Sequence, residues 1–426
     1  MGPDYIYPMF HTFITGRESR NLDSWMLKEE SVKYLFTRNS RDADIAIIEG
    51  VMGLYDGYGG RSLEGSTAHV SRIIGAPVIL VINGEAMSLS AAALVKGFVD
   101  FDKSVNVKGV IINNISGEGH YKLLKEVIEE NTGIAVLGYL KRMSNFTIEE
   151  RHLGLVTSAE IVDLKEKVGI LASQIKETVD MELLVKLASE TCEIKVKDIA
   201  AKIKTVGKAR IAVAKDKVFC FYYKDNLELL EMLGAELEYF SPMSDSSLPE
   251  NIDGLYLGGG YPEIWAEYLQ NNSSMKNDIK RLIESGLPTY AECGGMMYIS
   301  DNIMDKEGRE FEMVGIIPGK SRMTKSLKRF GYVFIKLTED TILAKKGSEI
   351  RAHEFHYSET VMDDSVKSCF DVSKSKEALT AKSWSCGYKV HNLLAGYAHM
   401  HFWSNPVFAM GFVKSCVDFN MNKKRI

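Results

Sequence analysis

This sequence lacks several features that would place it in a specialised class of protein. No apolar run approaches the roughly 20 residues that cross a membrane, and no signal peptide opens the chain. The six cysteines are scattered without a C-x-x-C pair, which favours reduced thiols over a disulfide framework or a zinc site. A formal net charge of −5 argues against general nucleic-acid binding. These absences predict a cytoplasmic protein that binds neither nucleic acid nor membrane.

Internal repeats and low-complexity tracts are also absent. The 426 residues, 45% of them hydrophobic and 26% charged, suffice for two or three domains with large cores. Strand-like runs alternate with helical periodicity in two blocks, which predicts α/β domains with parallel sheets. We place the first domain at 1–190, a linker at 191–208 and the second domain at 209–426.

Each block has its own series of predicted elements. The first block has strand-like runs at 45–48, 77–82, 107–112 and 134–140, and a helix at 121–131. Helical spacing continues through 159–204. The second block has strands at 210–214, 236–240 and His399, and helices at 225–233 and 406–419. Many β-branched or aromatic residues at 309–385 predict an antiparallel addition to the second sheet.

The most informative residue is Cys293. It follows a mostly apolar run at 287–292 and precedes Gly294 and Gly295, a pattern typical of a strand, a sharp turn and a helix. Such a turn exposes one side chain, and the helix N-terminus behind it favours a thiolate. His399 can supply a base for attack on an amide or ester carbon. The alternative is an inert core cysteine, which is the ordinary role of a buried thiol.

A second glycine-rich turn follows the strand-like run at 254–257. It contains Gly258, Gly259 and Gly260, and three glycines after a strand let backbone N–H groups converge on a developing oxyanion. Together with Gly294, the glycines Gly259 and Gly260 are therefore the candidate donors of an oxyanion hole.

The second block resembles a class I glutamine amidotransferase domain of the cobyric-acid-synthase type. The resemblance rests on three motifs in this order: the glycine turn, the A-E-C-G-G turn and the Y-A-H-M-H-F ending. The resemblance implies a flavodoxin-like fold in which Cys293 attacks the side-chain amide of glutamine and releases ammonia. It also implies that His399 is the base of Cys293. His399 is preferred to His401 because the related pattern Y-x-H-G-x-F keeps only the first histidine.

Further motifs extend the resemblance over nearly the whole chain, to the cobyrinate a,c-diamide synthase family and its relative acting on nickel-sirohydrochlorin. They are G-P-D-Y-I-Y-P at 2–8, I-E-G-V-M-G-L-Y-D-G at 48–57, G-S-T-A-H at 65–69, E-R-H-L-G-L at 150–155, C-F-Y-Y at 220–223 and H-E-F-H-Y at 353–357. The resemblance implies that the first domain is a P-loop ATPase like dethiobiotin synthetase. It would use ATP and Mg²⁺ to phosphorylate a tetrapyrrole carboxylate, and ammonia would displace the phosphate.

Three acidic residues of the first domain fall on functional positions of that family. The resemblance implies that Asp4 and Asp56 serve the substrate or its phosphorylated intermediate, and that Glu49 binds Mg²⁺. A carboxylate at a strand end before glycines is a usual magnesium site beside phosphates, although a plain loop carboxylate is the alternative. Tyr7 stands where the family has a second aspartate.

The phosphate-binding motif G-x-x-x-x-G-K-[ST] is missing from this sequence. Its nearest match, at 315–321, is one residue too short and lies in the second domain. The family carries the motif on roughly 40 residues that would precede Met1, so we expect a truncated copy of a longer protein. A natural protein that no longer uses ATP is the alternative.

The H-E-F-H run at 353–356 resembles a metal site only superficially. A three-residue spacing of histidines on a strand does not converge well, so a structural or substrate-lining role is expected.

The expected function is ATP- and glutamine-dependent amidation of the a- and c-side-chain carboxylates of cobyrinic acid, in the anaerobic route to cobalamin. One alternative is the same reaction on nickel-sirohydrochlorin in coenzyme F430 formation. The other is a non-catalytic, tetrapyrrole-binding remnant without ATP use. Whether the protein is a homodimer is left open.

Overall fold

The structure is a computed structural model that divides into two compact units, Met1–Lys197 and Asp198–Ile426. It describes residues 1–143, 150–151, 154–155, 161, 163–191, 193–375 and 382–423. The boundary lies within the predicted linker 191–208, and the predicted domain bounds stay predictions. Of the motifs used above, 152–153 of the E-R-H-L-G-L run lie outside the described residues, as does Cys192.

The first unit is built on a three-stranded parallel sheet in the order β1-β2-β3. This confirms the strands predicted near 77–82, 107–112 and 134–140. The described strands are β1 (Val78–Asn83), β2 (Val107–Ile115), β3 (Ala135–Lys141), β4 (Glu150–Arg151) and β5 (Gly154–Leu155). The described helices are α1 (Ile6–Thr15), α2 (Glu29–Asn39), α3 (Thr67–Ile74), α4 (Ser90–Phe101), α5 (Glu118–Thr132), α6 (Leu164–Thr178) and α7 (Met181–Ser189).

The core of this unit lies between the sheet and helices α4 and α5. Val95 of α4, Val110 of β2 and Leu124 of α5 are fully buried in one apolar cluster. Helix α5 ends at Gly133, whose φ of +68° and N–H bond to the Glu129 carbonyl form a left-handed cap. Glycine adopts that conformation without the steric cost of a Cβ.

The strand predicted at 45–48 is wrong. None of these residues forms a strand, and the Ile47 side chain is 91% exposed. A strand requires hydrogen bonds to a neighbouring strand, whereas an apolar run predicts only burial. Within the described residues, β1 is an edge strand that pairs with β2 alone.

The second unit contains a ten-stranded sheet among its described residues, in the order β21-β16-β15-β18-β19-β20-β11-β9-β6-β8. Its strands, with those of the smaller sheets, are β6 (Ala209–Ala214), β7 (Phe219–Phe221), β8 (Ala235–Phe240), β9 (Gly254–Leu257), β10 (Gly259–Gly260), β11 (Thr289–Glu292), β12 (Ser300–Met304), β13 (Glu310–Glu312), β14 (Ile317–Met323), β15 (Arg329–Leu337), β16 (Glu349–His356), β17 (Ser358–Met362), β18 (Ser368–Ser373), β19 (Ser383–Val390), β20 (Leu393–Gly396) and β21 (His399–Met400). The described helices are α8 (Lys224–Met232), α9 (Ala266–Asn271), α10 (Ser273–Glu284), α11 (Gly294–Ile299) and α12 (Val407–Lys423).

The large sheet has a parallel half and an antiparallel half. Strands β8, β6, β9, β11 and β20 are parallel to one another, whereas β20, β19, β18, β15, β16 and β21 pair antiparallel. Within the range 309–385, strands β15, β16, β18 and β19 confirm the predicted antiparallel addition, whereas β13, β14 and β17 belong to a separate four-stranded sheet with β12. Every residue of β9, β11 and β20 is buried, as expected for central parallel strands covered on both faces.

The short phosphate-loop lookalike at 315–321 runs into strand β14. The Nζ of Lys320 forms an ion pair with Glu310 at 3.0 Å. This segment is therefore a sheet strand and not a phosphate-binding loop.

No helix among the described residues is both long enough and apolar enough to cross a bilayer. The five described cysteines, Cys220, Cys293, Cys369, Cys386 and Cys416, are all free thiols.

Candidate active site

Cys293 occupies the sharp turn between strand β11 and helix α11. Its backbone has φ +48° and ψ −105°, a region that a residue with a Cβ rarely adopts. Its N–H donates to the Gly396 carbonyl at 2.8 Å, which ties the turn to the end of β20. Strain of this kind is typical of a nucleophile held at the top of a sheet. The residue is 6% exposed.

The glycine turn lies directly against the cysteine turn. A Cβ on Gly294 would be 3.1 Å from the backbone nitrogen of Gly260, and a Cβ on Gly260 would be 1.7 Å from the Val218 carbonyl oxygen. Gly260 has φ +154° and pairs with Phe219 of β7. The structure thus brings together Gly259, Gly260 and Gly294, the three predicted oxyanion donors.

His399 comes from strand β21, the edge of the antiparallel half. Its ring lies so close to the glycine turn that a Cβ on Gly259 would be 2.5 Å from His399 Cε1. The histidine is buried and interacts with the Cys293 thiol and the Glu292 carboxylate. Burial lowers the pKa of His399, but these two partners more than offset it and raise the pKa to about 10. A proton on this imidazole is therefore held firmly at neutral pH.

Glu292 is the site residue that the sequence motifs did not identify. It is the last residue of β11, is 2% exposed, and lies 3.5 Å from Nδ1 of His399 through Oε2. One signal was available, because an acidic residue that ends a buried strand beside a nucleophile is unusual in a core. The contact itself joins residues far apart in the chain, and no local pattern predicts it.

His401 lies two residues beyond His399 but makes different contacts. It is fully buried, and its ring stacks on Tyr223 with centroids 4.8 Å apart. Burial lowers its pKa to about 3, so it is neutral at physiological pH. Neither ring nitrogen has a hydrogen-bond partner among the described residues.

The H-E-F-H run forms the end of strand β16, which pairs with β21 so that His353 lies opposite His399. Burial lowers the pKa of His353 to about 3 and that of His356 to about 4. His356 stacks on Tyr397 with centroids 3.8 Å apart. Burial also raises the pKa of Glu354 to about 7, although Lys374 partly opposes the rise. Within the described residues, no group of three histidine, cysteine or acidic side chains could hold a metal ion.

In the first unit, Asp4 accepts backbone hydrogen bonds at the start of helix α1. Its two carboxylate oxygens accept the N–H groups of Ile6 and Tyr7, at 2.9 Å and 3.3 Å. Burial raises the pKa of Asp4, and the negative charge of Glu49 adds to that rise. Asp4 and Glu49 are therefore electrostatic neighbours.

Glu49 and Asp56 flank the glycine-containing loop at 50–57. The Glu49 carboxylate is hydrogen-bonded to Nε2 of His11, which lowers its pKa. Asp56 accepts the Gly53 N–H at 2.9 Å, the bond of a local turn. The ionised Glu49 fits a hard cation, but Asp4 and Asp56 are held by backbone groups, so the three residues fit magnesium only in part.

Two family models match this chain. The CobB/CobQ-like glutamine amidotransferase domain matches residues 210–407, and an AAA domain matches residues 17–149.

Proteins named cobyrinate a,c-diamide synthase resemble the chain over almost its full length. That of Caldanaerobacter subterraneus subsp. tengcongensis is 43% identical over 98% of this chain and 91% of its own. The Listeria innocua serovar 6a protein is 42% identical over 96% of this chain and 90% of its own. The Clostridium tetani protein is 44% identical over the same shares.

Solved structures resemble the chain much more loosely. PurLQS from Thermotoga maritima matches 51% of this chain and 99% of its own, at 16% identity and a TM-score of 0.34. A structure described as glutamine amidotransferase matches 49% and 98%, at 12% identity and a TM-score of 0.35.

The buried carboxyl of Glu354 predicts a pH-dependent stability. Its pKa of about 7 in the folded state exceeds its ordinary value of 4.5, so the folded state binds the proton more tightly. Below pH 4.5 this residue has no effect, and its cost grows to about 3 kcal/mol as the pH rises through 7. Relative to the parent, Glu354→Gln should gain that amount of unfolding free energy between pH 4.5 and 8.

Urea unfolding of both proteins across this pH range measures the difference. Glu339→Gln, at an exposed position of the same unit, is the control and should track the parent. A constant difference between Glu354→Gln and the parent at every pH would show that Glu354 is not buried in its neutral form.

Proposed function

Because this chain belongs to the cobyrinate a,c-diamide synthase family, we propose that it amidates the a- and c-side-chain carboxylates of cobyrinic acid with nitrogen from glutamine. The family matches confirm the predicted P-loop-like and amidotransferase domains. The observation that carries the chemistry is the Cys293–His399 pair against the glycine turn.

The geometry of the second unit supports glutamine hydrolysis. The Cys293 thiolate attacks the side-chain amide carbon of glutamine, and backbone N–H groups of Gly259, Gly260 and Gly294 stabilise the oxyanion. The His399 imidazolium then donates its proton to the departing nitrogen, so ammonia leaves and a glutamyl thioester remains. Water, deprotonated by the now neutral His399, hydrolyses the thioester to glutamate and restores the thiolate–imidazolium pair.

The first unit would prepare the acceptor carboxylate. ATP with Mg²⁺ would supply a phosphoryl group there, and the resulting acyl phosphate would have a leaving group that ammonia can displace. Glu49 would hold the cation, because its lowered pKa keeps it ionised. Asp4 and Asp56 would contact the substrate or its phosphorylated form. The sequence contains no phosphate-binding glycine loop to accompany them.

We place the reaction in the cytoplasm and in the anaerobic route to cobalamin, which suits the free thiols of the described cysteines. Nickel-sirohydrochlorin remains the alternative acceptor.

The two acceptors can be distinguished by incubating the protein with each tetrapyrrole, glutamine and ATP–Mg²⁺. Mass spectrometry then counts the amides formed on each tetrapyrrole. We expect two amides on cobyrinic acid and none without ATP. If nickel-sirohydrochlorin is doubly amidated and cobyrinic acid is not, nickel-sirohydrochlorin is the acceptor. Absence of glutamine hydrolysis with either tetrapyrrole would indicate a binding remnant.

Replacing the nucleophile should separate the two half-reactions. Cys293→Ala should abolish glutamine-dependent amidation, because no thioester can form, and should leave amidation with added ammonium salt intact. Product formation with each nitrogen source measures this. Cys369→Ala, a buried thiol of strand β18 whose pKa burial raises to about 12, is the control and should keep both activities. If Cys293→Ala loses both activities, glutamine hydrolysis and amidation are not separate half-reactions.

The close approach of Gly259 to the histidine gives a steric test. Alanine at 259 would place its Cβ 2.5 Å from His399 Cε1, so the ring must move. Because a displacement of about 1 Å can cost about 100-fold, kcat/KM for glutamine hydrolysis should fall by about that factor. Gly97→Ala, on a helix with open space around the new Cβ, should have no effect. An active Gly259→Ala enzyme would mean that His399 is not the base.

A further inference from the structure

Glu292 lies at the centre of the large sheet and not on a loop. Strand β11 pairs in parallel with β9 on one side and β20 on the other, and Glu292 is opposite Gly396 at its carboxyl end. The side chain is 2% exposed. A carboxylate in so dry a position is costly unless it is hydrogen-bonded and paired with a cation.

Neutral groups donate hydrogen bonds to both oxygens of this carboxylate. Oε1 accepts the Tyr290 hydroxyl at 2.6 Å and the Met400 N–H at 3.3 Å. Oε2 accepts the Tyr256 hydroxyl at 3.3 Å. Burial raises the pKa of both tyrosines well above the ordinary value, so they remain protonated donors.

The remaining contact of Oε2 is Nδ1 of His399 at 3.5 Å, which is the one ion pair that Glu292 forms within the described residues. This distance is long for a hydrogen bond, as is common at catalytic sites without substrate. The Met400 N–H bond fixes the backbone next to His399, so the same carboxylate anchors both the strand and the ring.

Other buried groups near the site do not provide this contact. His401 is neutral, and its ring nitrogens make no hydrogen bond within the described part of the chain. Neither oxygen of Glu354 has a hydrogen-bond partner there, and its Oε2 lies 4.0 Å from Nε2 of His356. Glu292 is therefore the carboxylate placed to act on His399.

We propose that Glu292 is the positioning residue of the nucleophile pair. Its carboxylate accepts the Nδ1–H of His399, which leaves Nε2 for the Cys293 thiol and stabilises the imidazolium that forms when the thiol gives up its proton. The proton moves from Sγ to Nε2, and no proton passes to Glu292. This inference rests on the proposed roles of Cys293 and His399.

The test is the pH profile of Cys293 alkylation by iodoacetamide, followed by mass spectrometry of its peptide. This reaction reports thiolate and requires neither glutamine nor a tetrapyrrole. In the parent, alkylation should be fast and nearly independent of pH between 6 and 9. In Glu292→Gln, the rate at pH 6 should fall by about 300-fold and rise with a midpoint near that of a free thiol, about 8.5.

Matched variants separate charge from packing. Glu292→Asp keeps the charge and should retain the parent profile at a lower rate. Tyr256→Phe removes one neutral hydrogen bond to the same carboxylate and should leave the profile unchanged. Glu354→Gln removes the other buried glutamate of this sheet and should behave as the parent. Identical profiles for Glu292→Gln and the parent, or for Glu292→Gln and Glu292→Asp, would overturn the proposal.

Two further outcomes are distinguishable. A free-thiol profile in the parent itself would refute the Cys293–His399 pair, and hence the proposed function, and not Glu292 alone. If Glu292→Gln does not fold, proton NMR of the parent decides. A far-downfield imidazole proton that His399→Asn removes supports the Nδ1–H bond to the carboxylate, and its absence from the parent contradicts it.

Discussion

The parallel pairing of β11 with β9 and β20 is the constraint on which the site depends. Parallel strands end at the same edge of a sheet, so the glycine turn after β9 and the cysteine turn after β11 must lie side by side. Because all three strands are fully buried, neither turn can shift without opening the core. The glycines are required because the two turns approach within backbone contact distance.

Two buried glutamates of the same sheet have different hydrogen-bond donors around their carboxyl groups. Glu292 has three neutral hydrogen-bond donors and a histidine beside it. Glu354 is equally buried, but neither of its oxygens has a hydrogen-bond partner within the described residues, and burial raises its pKa to about 7. The two positions therefore differ in hydrogen bonding and not in exposure.

Local patterns predicted the elements and both turns of the second unit because strand–glycine–helix signals lie within about a dozen residues. The position of His399 is predicted from a family resemblance. Its contact with Glu292 joins two residues that are 107 positions apart in the chain. The strand predicted at 45–48 failed for a related reason, since apolar character does not reveal a pairing partner. Asp4 and Asp56 were predicted by position, while their hydrogen bonds to backbone N–H groups needed coordinates.

The placement of β21 has a consequence for when the thiol becomes reactive. In the chain, β21 follows the antiparallel strands β15, β16, β18 and β19, and it pairs with β16. Contacts of such long sequence separation form late, because their loop-closure entropy is large. A newly made or partly folded chain would therefore hold Cys293 without the His399 ring beside it, and the pair is assembled only when the last strand of the sheet is in place.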